Sequence, residues 1–156
     1  MTSSPDATLP PPAVLVIDDD PTTRRLLRAM LEPEGYVVLD AADGAAALPL
    51  LRVPTTRYVT LLDYQMPQLD GWALLRLAAA DGGMLSQHAF ILITANSDAL
   101  PPAFVELLRQ LSIPTLAKPI RRRALLTAVA RAAEQLTAPP SLPPAGDTGP
   151  LTQPGN

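Results

Sequence analysis

The sequence predicts an α/β fold in which a doubly wound parallel sheet of five strands is covered by five helices. Short apolar runs without helical periodicity alternate with segments in which apolar residues recur every three or four positions. A parallel connection needs a crossover that packs on a face of the sheet, and this alternation supplies one after each strand. The chain has 156 residues, which suits one well-filled core and is too short for two ordinary domains.

The predicted strands are short and rich in Val, Ile, Leu and Tyr, which is typical of strands buried on both faces. They are residues 13–17, 36–39, 58–62, 89–93 and 113–117.

Capping and proline signals predict the first two helices. Asp20-Pro21 supplies an N-cap and a proline at the first helical position. Pro33 ends that helix, and Pro49 leaves the second one short or kinked.

Two later segments each predict a helix with one apolar face, because their apolar residues fall three or four positions apart. These residues are Phe104, Leu107, Leu108 and Leu111 in one segment, and Leu125, Val129, Ala132 and Leu136 in the other.

The two ends of the chain are rich in proline and poor in large apolar residues. We expect residues 1–12 and 137–156 to be disordered tails. The folded unit is then residues 13–136, without a further output domain.

Composition argues against several classes of protein. The net charge of −3 gives no basic field for nucleic acid. The one basic run, Arg121-Arg122-Arg123, is interpreted as the solvated first turn of a helix, in preference to a patch that binds phosphate or an acidic partner. The chain has no cysteine for a disulfide or thiolate metal site. No signal peptide or membrane span is apparent, so we expect a cytoplasmic location.

Polar side chains stand where four of the five predicted strands end. Asp18, Asp19 and Asp20 follow the first, Asp63 the third, Thr94 the fourth and Lys118 the fifth. In doubly wound sheets the ligand site lies beyond the carboxyl ends of the strands, so these groups are expected to meet. The only histidine, His88, precedes the fourth strand at the opposite edge and is predicted to be a polar loop residue.

Carboxylates brought together without a cation repel one another, and oxygen ligands suit a hard ion such as Mg²⁺. Asp20 is interpreted as a helix cap, and capping alone is the alternative for Asp18 and Asp19. Lys118 is the single lysine beside eleven arginines, which indicates a need for a compact ammonium. Together with the Thr94 hydroxyl, it can bind an anion attached to Asp63. This set predicts formation of an aspartyl phosphate.

These residues resemble the receiver domain of two-component response regulators. The resemblance is carried by "VLVIDDDPTTRRLLRAMLEPEGYVVLDAADGAAAL", "LLDYQMPQLDGW", "ILITAN" and "LAKPI", which occur in the family's order. It implies a flavodoxin-like, CheY-like sheet with strand order 2-1-3-4-5, covering nearly the whole folded unit.

The resemblance also implies roles for individual residues. Asp63 is phosphorylated, and Asp18, Asp19, Asp63 and the backbone carbonyl of Gln65 hold Mg²⁺. Thr94 and Lys118 contact the phosphoryl group, and Lys118-Pro119 is a cis bond.

The implied phosphodonor is a histidine kinase or a histidine phosphotransfer protein. The signal passes to a downstream protein through the face of the fourth helix, fifth strand and fifth helix. We expect a monomer or weak dimer, with no nucleic-acid or membrane partner.

One position departs from the family pattern. Three residues before the lysine the family usually carries Tyr or Phe, where this chain has Thr115, and Leu111 replaces a common glycine. Signalling through the output face is therefore expected to differ.

Three alternatives stay open. One is a haloacid-dehalogenase type Mg²⁺-dependent phosphatase, which needs a second acid where this chain has Gln65. The others are a receiver-like module that binds partners without phosphorylation, and the receiver portion of a hybrid histidine kinase.

Overall fold

The computed structural model describes residues 12–66, 69–81 and 83–137. Five parallel strands form one sheet: β1 (Ala13–Ile17), β2 (Val38–Ala41), β3 (Tyr58–Asp63), β4 (Ala89–Thr94) and β5 (Thr115–Ala117). Their order across the sheet is β2-β1-β3-β4-β5, as the family resemblance implied.

The helices are α1 (Pro21–Leu31), α2 (Gly44–Leu51), α3 (Gly71–Ala80), α4 (Met84–Gln87), α5 (Pro102–Gln110) and α6 (Arg122–Thr137). The four-residue α4 was not predicted; it lies between α3 and β4 and buries Met84. The predicted fourth and fifth helices are therefore α5 and α6. Prolines shape the early helices as expected: α1 ends at Leu31 before a 3₁₀ turn that contains Pro33, and α2 has eight residues with Pro49 inside it.

Two of the predicted strands begin later than expected. The prediction for β2 began at Tyr36 and that for β5 at Ile113, two residues too early in each case. Both strands lie at an edge of the sheet and pair with one neighbour only. Burial on both faces holds for the three central strands but not for β5, of which Thr115 and Ala117 are exposed. An edge strand is fixed by pairing on one side, so its apolar pattern is a weaker signal.

Apolar side chains fill a core on each face of the sheet. On one face α2, α3 and α5 pack against the strands through residues such as Leu51, Leu74 and Phe104. On the other, α1 and α6 pack through residues such as Leu27 and Val129. The apolar residues predicted for α5 and α6 pack into these two cores, except Leu111, which belongs to neither. The carboxyl ends of the strands lie open at one edge of the sheet.

His88 is buried, which corrects its prediction as a polar loop residue. It is 2% exposed, and its ring stacks on Tyr58. Its Nδ1 accepts a hydrogen bond from the Tyr58 N–H at 3.0 Å, and its Nε2 lies 2.7 Å from the Leu51 carbonyl oxygen. A neutral ring with its proton on Nε2 satisfies both contacts. His88 therefore ties α2 to the beginnings of β3 and β4.

The predicted disordered tails lie almost entirely outside the described residues, so those two predictions stand untested. None of the described helices is long and apolar enough to cross a membrane.

Candidate functional site

The carboxyl ends of the strands bring the predicted polar residues to one edge of the sheet. Asp63 and Thr94 are the last residues of β3 and β4, and Asp18 and Lys118 directly follow β1 and β5. The three residues Asp18, Asp63 and Thr94 are each at most 5% exposed. Buried polar groups of this kind need partners, and the site supplies several of them.

The three consecutive acids after β1 have different surroundings. Asp18 points inward, and its Oδ1 accepts a hydrogen bond from the Asp20 N–H at 2.9 Å. Asp20 caps α1, accepting from the Thr22 N–H at 3.0 Å and the Thr23 hydroxyl at 2.9 Å. Asp19 is exposed. Because one cap serves one helix, Asp18 and Asp19 are left for another purpose.

Lys118 lies between two buried carboxylates. Its Nζ is 3.3 Å from Asp18 Oδ2 and 3.4 Å from Asp63 Oδ1. Burial alone would lower the pKa of this ammonium, but the charges of Asp63 and Asp18 outweigh it and the pKa is raised above its ordinary value. Lys118 is therefore a permanent cation within reach of both acids.

Asp63 is the most perturbed carboxylate of the site. Burial raises its pKa, the neighbouring Asp18 raises it further, and Lys118 opposes both, so that the pKa is about 6. The single ammonium of Lys118 thus does not fully compensate the negative charges of the neighbouring carboxylates. A further cation would stabilise the ionised form of Asp63.

The carboxylates of Asp18, Asp19 and Asp63 lie close enough to share an ion. One oxygen from each falls within 4.8 Å of the others. Three hard oxygen donors with room for water are what Mg²⁺ requires. Gln65, whose carbonyl is the fourth predicted ligand, lines the same open cavity of about 570 Å³ as Asp19 and Asp63.

Thr94 faces this cavity from the end of β4. Its Oγ1 accepts a hydrogen bond from the Asn96 N–H at 3.3 Å. That contact uses the oxygen as an acceptor, so the hydroxyl proton is available for an anion in the cavity.

The turn after β3 depends on a close approach at Gly71. A Cβ on Gly71 would lie 2.9 Å from the Asp63 carbonyl oxygen, too close for any side chain. The Gly71 N–H donates to the Tyr64 carbonyl, and Asp70 caps α3 by accepting from the Ala73 N–H at 2.8 Å. The Asp70-Gly71 pair thus joins α3 directly to the strand end that carries Asp63. Pro67, predicted to shape the same loop, lies outside the described residues.

Two residues that the sequence analysis did not single out also contact the site. The Arg24 guanidinium donates a hydrogen bond to the Asp18 carbonyl oxygen at 2.6 Å. The sequence pattern that could have predicted this contact is a basic residue four positions after the α1 cap. Tyr64 lines the cavity, and its ring stacks on Phe104 of α5 with centroids 5.1 Å apart. No sequence pattern pairs these two rings.

The backbone bears out one local expectation. The Lys118-Pro119 peptide bond is cis. The left-handed backbone conformation after α5 is at Ser112, with φ of 55°, whereas Leu111, which replaces a glycine common in the family, is right-handed. Thr115 is exposed on the edge strand.

Known proteins share this sequence pattern and this fold. The family model described as "Response regulator receiver domain" matches residues 14–130. A CheY-like receiver domain protein from Methanospirillum hungatei JF-1 is 25% identical, with a TM-score of 0.68 over 81% of this chain and 98% of that one.

Two other solved structures are similar to the same extent. The receiver domain of a signal transduction histidine kinase from Syntrophus aciditrophicus is 25% identical, with a TM-score of 0.69 over 86% of this chain and 98% of that one. A sensor protein from Polaromonas sp. JS666 is 30% identical, with a TM-score of 0.67 over 81% and 99%. Since the family model covers most of the chain, the chain belongs to the response regulator receiver domain family.

Proposed function

We propose that Asp63 accepts a phosphoryl group from a histidine kinase or a histidine phosphotransfer protein in the cytoplasm. The signal then reaches a downstream protein through the face formed by α5, β5 and α6. One observation carries the proposal: three carboxylate oxygens lie within 4.8 Å of one another at the strand ends, with the Lys118 ammonium between Asp18 and Asp63.

The donor set fits a magnesium ion. Asp18, Asp19, Asp63 and the Gln65 carbonyl would hold it, and all four offer the oxygen ligands that a hard cation prefers. When bound, Mg²⁺ supplies positive charge against the phosphoryl oxygens.

The protein residues account for the rest of the transfer. An Asp63 oxygen attacks phosphorus as the bond from phosphorus to the donor's histidine nitrogen breaks, and that nitrogen leaves with the bonding electrons. The Lys118 ammonium is 3.4 Å from Asp63 and can therefore also pair with the negatively charged phosphoryl oxygens once they are attached to it. The Thr94 hydroxyl donates a hydrogen bond to one of them. Positioning and charge stabilisation are the main demands of this reaction, and the site offers both.

The phosphoacceptor is tested with acetyl phosphate, with and without Mg²⁺, read by intact mass. The chain should gain the mass of one phosphoryl group only with Mg²⁺, and Asp63→Asn should abolish the gain. Asp81→Asn, an exposed acid at the end of α3, is the matched control and should be modified like the natural chain. Equal modification of Asp63→Asn would refute the assignment.

A receiver-like module that binds partners without phosphorylation is the main competing function. It predicts no mass gain from any donor although the partner still binds. The similarity to a receiver domain of a histidine kinase also suits a place within a hybrid kinase, which leaves the chemistry at Asp63 unchanged. A haloacid-dehalogenase type phosphatase is disfavoured because Gln65 offers no carboxylate to act as an acid.

A further inference from the structure

A groove separate from the cavity at Asp63 runs along α6, from Arg121 and Arg123 near the start of the helix to Leu136 near its end. It has a volume of about 900 Å³. Its floor is the beginning of β4, including Phe90, one wall is α6, and the other is the segment from Leu111 to Pro114.

The groove exists because β5 is short. Only Leu92, Ile93 and Thr94 of β4 pair with β5, so the first half of β4 has no strand on that side. The middle of the α6 wall carries the small residues Ala124, Thr127 and Ala128, which leave space beside the helix.

The charge of the groove is one-sided. Arg121, Arg123 and Arg131 line it, and no acidic residue does so within the described part of the chain. None of these three arginines forms an ion pair with a described residue, whereas Arg122 pairs with Glu34 at 2.8 Å. The basic run noted in the sequence is thus divided, with two of its members at the groove.

The chain itself continues from the end of this groove. Gln135 and Leu136 line it, and α6 ends at Thr137. The following sequence, "APPSLPPAGD" from residue 138 to 147, has one large apolar residue, Leu142, and one charged residue, Asp147. Proline cannot continue a helix, and proline-rich segments favour the extended polyproline conformation, which loses little entropy on binding in a groove.

We propose that residues 138–147 turn back along α6 and bind in this groove, with Leu142 against its apolar floor and Asp147 near Arg121 and Arg123. The segment is long enough to span the helix. The distance along α6 from Leu136 back to its start is about 21 Å at 1.5 Å per residue. Ten extended residues reach about 31 Å, which allows for the turn. The tether gives an effective concentration in the millimolar range, so a weak contact suffices. The occupant is then the chain's own segment and not a second protein.

The chain has no cysteine, so a single introduced cysteine can carry a nitroxide label. In the full-length chain, a label at Ala145→Cys should broaden the amide signals of Ala124, Thr127 and Ala128. The matched label at Gln153→Cys, beyond the proposed segment, should broaden them much less. Neither substitution removes a described contact. Uniform weak broadening over the surface with both labels would overturn the proposal.

Two further measurements distinguish the chain's own segment from other occupants of the groove. Leu142→Ser in the labelled chain should reduce the ratio of bound to free segment about tenfold, since it removes a large buried apolar side chain, while Leu151→Ser should not. Mixing isotope-labelled chains with separate nitroxide-labelled chains should give no broadening at the groove. Broadening in that mixture would identify a second copy as the occupant and overturn the proposal.

Discussion

Asp63 combines two properties that oppose each other in the free protein. A phosphoacceptor must be ionised to attack, yet burial and the neighbouring Asp18 raise its pKa to about 6. Lys118 offsets part of this effect, and the remainder favours the binding of a cation. Under the proposed function, the same residue therefore links phosphoryl transfer, Mg²⁺ binding and stability.

This linkage predicts a pH-dependent gain of stability in Asp63→Asn without Mg²⁺. The folded pKa of about 6 lies above the ordinary value of 3.8, so Asp63 contributes most stability below about pH 4 and loses it as pH rises through 6. In EDTA, Asp63→Asn should be more stable than the natural chain at pH 7.5, on the order of 1 kcal/mol after solvent screening. Urea unfolding at pH 4.5 and 7.5 measures it, and the difference should shrink at the lower pH.

His88 has the opposite pH dependence but cancels in this comparison. Burial lowers the pKa of His88, although the hydrogen bond to the Leu51 carbonyl partly opposes this. The contribution of His88 to stability is therefore present at pH values above its ordinary pKa and is lost as the pH falls. Both chains carry His88. Asp98→Asn, an exposed acid, is the control and should show no such trend. A gain in Asp63→Asn that did not vary with pH would contradict the linkage.

Thr60 gives a second prediction for a single side chain. It is fully buried in β3, and its hydroxyl has no hydrogen-bond partner among the described residues. Thr60→Val keeps the shape and removes the unsatisfied group, so the free energy of unfolding should rise by about 1 kcal/mol or more. Thr60→Ala is the control for lost volume and should not share the gain. Destabilisation by valine in chemical unfolding would mean that the hydroxyl is satisfied.

Among the secondary-structure elements, α5 is better placed than β5 to respond to a change at the proposed phosphoacceptor site. Thr115 is small and exposed on β5, so moving it changes little apolar burial. Tyr64, next to Asp63, stacks on Phe104 of α5, and Trp72 of α3 packs against the same ring at 5.4 Å. A modification shifts two states only through contacts that differ between them, and these rings offer such contacts.

We therefore expect beryllofluoride, which mimics the phosphoryl group, to change amide exchange mainly between residues 96 and 111. Tyr64→Leu should reduce the change there, because it removes the stacking on Phe104. Tyr36→Leu, an aromatic substitution just before β2, is the control and should leave it intact. Changes centred on Thr115 and its strand neighbours, with residues 96–111 silent, would contradict this route.

The sequence was most informative for elements that are buried on all sides. The bounds of β1 were predicted as found, and β3 and β4 each extend one residue further, whereas both edge strands began late. The role of His88 was missed because its partners, Tyr58 and Leu51, are far away in sequence. The site residues were predicted as a group because strand ends in parallel sheets share an edge. Their distances and the raised pKa of Asp63 required the fold.

At the scale of the whole molecule, the candidate metal site brings together residues that are far apart in the sequence. Asp18 and Asp63 come from adjacent central strands, and Lys118 lies 100 residues from Asp18. In the folded chain these groups are brought together, and the unfolded chain has no such arrangement. A cation that binds here therefore stabilises the whole molecule.

Magnesium should consequently raise the midpoint of global unfolding in a way that depends on Asp19. At a Mg²⁺ concentration of 100 times the Kd, the free energy of unfolding should rise by about 2.7 kcal/mol. Asp19→Ala removes one of three carboxylates and should weaken Mg²⁺ binding at least tenfold, which would leave at most about half of that gain. Asp19 is exposed, so the free variant should fold normally, and Asp98→Ala should retain the full effect. Thermal unfolding across a Mg²⁺ titration measures both, and equal stabilisation of Asp19→Ala and the natural chain would remove Asp19 from the metal site.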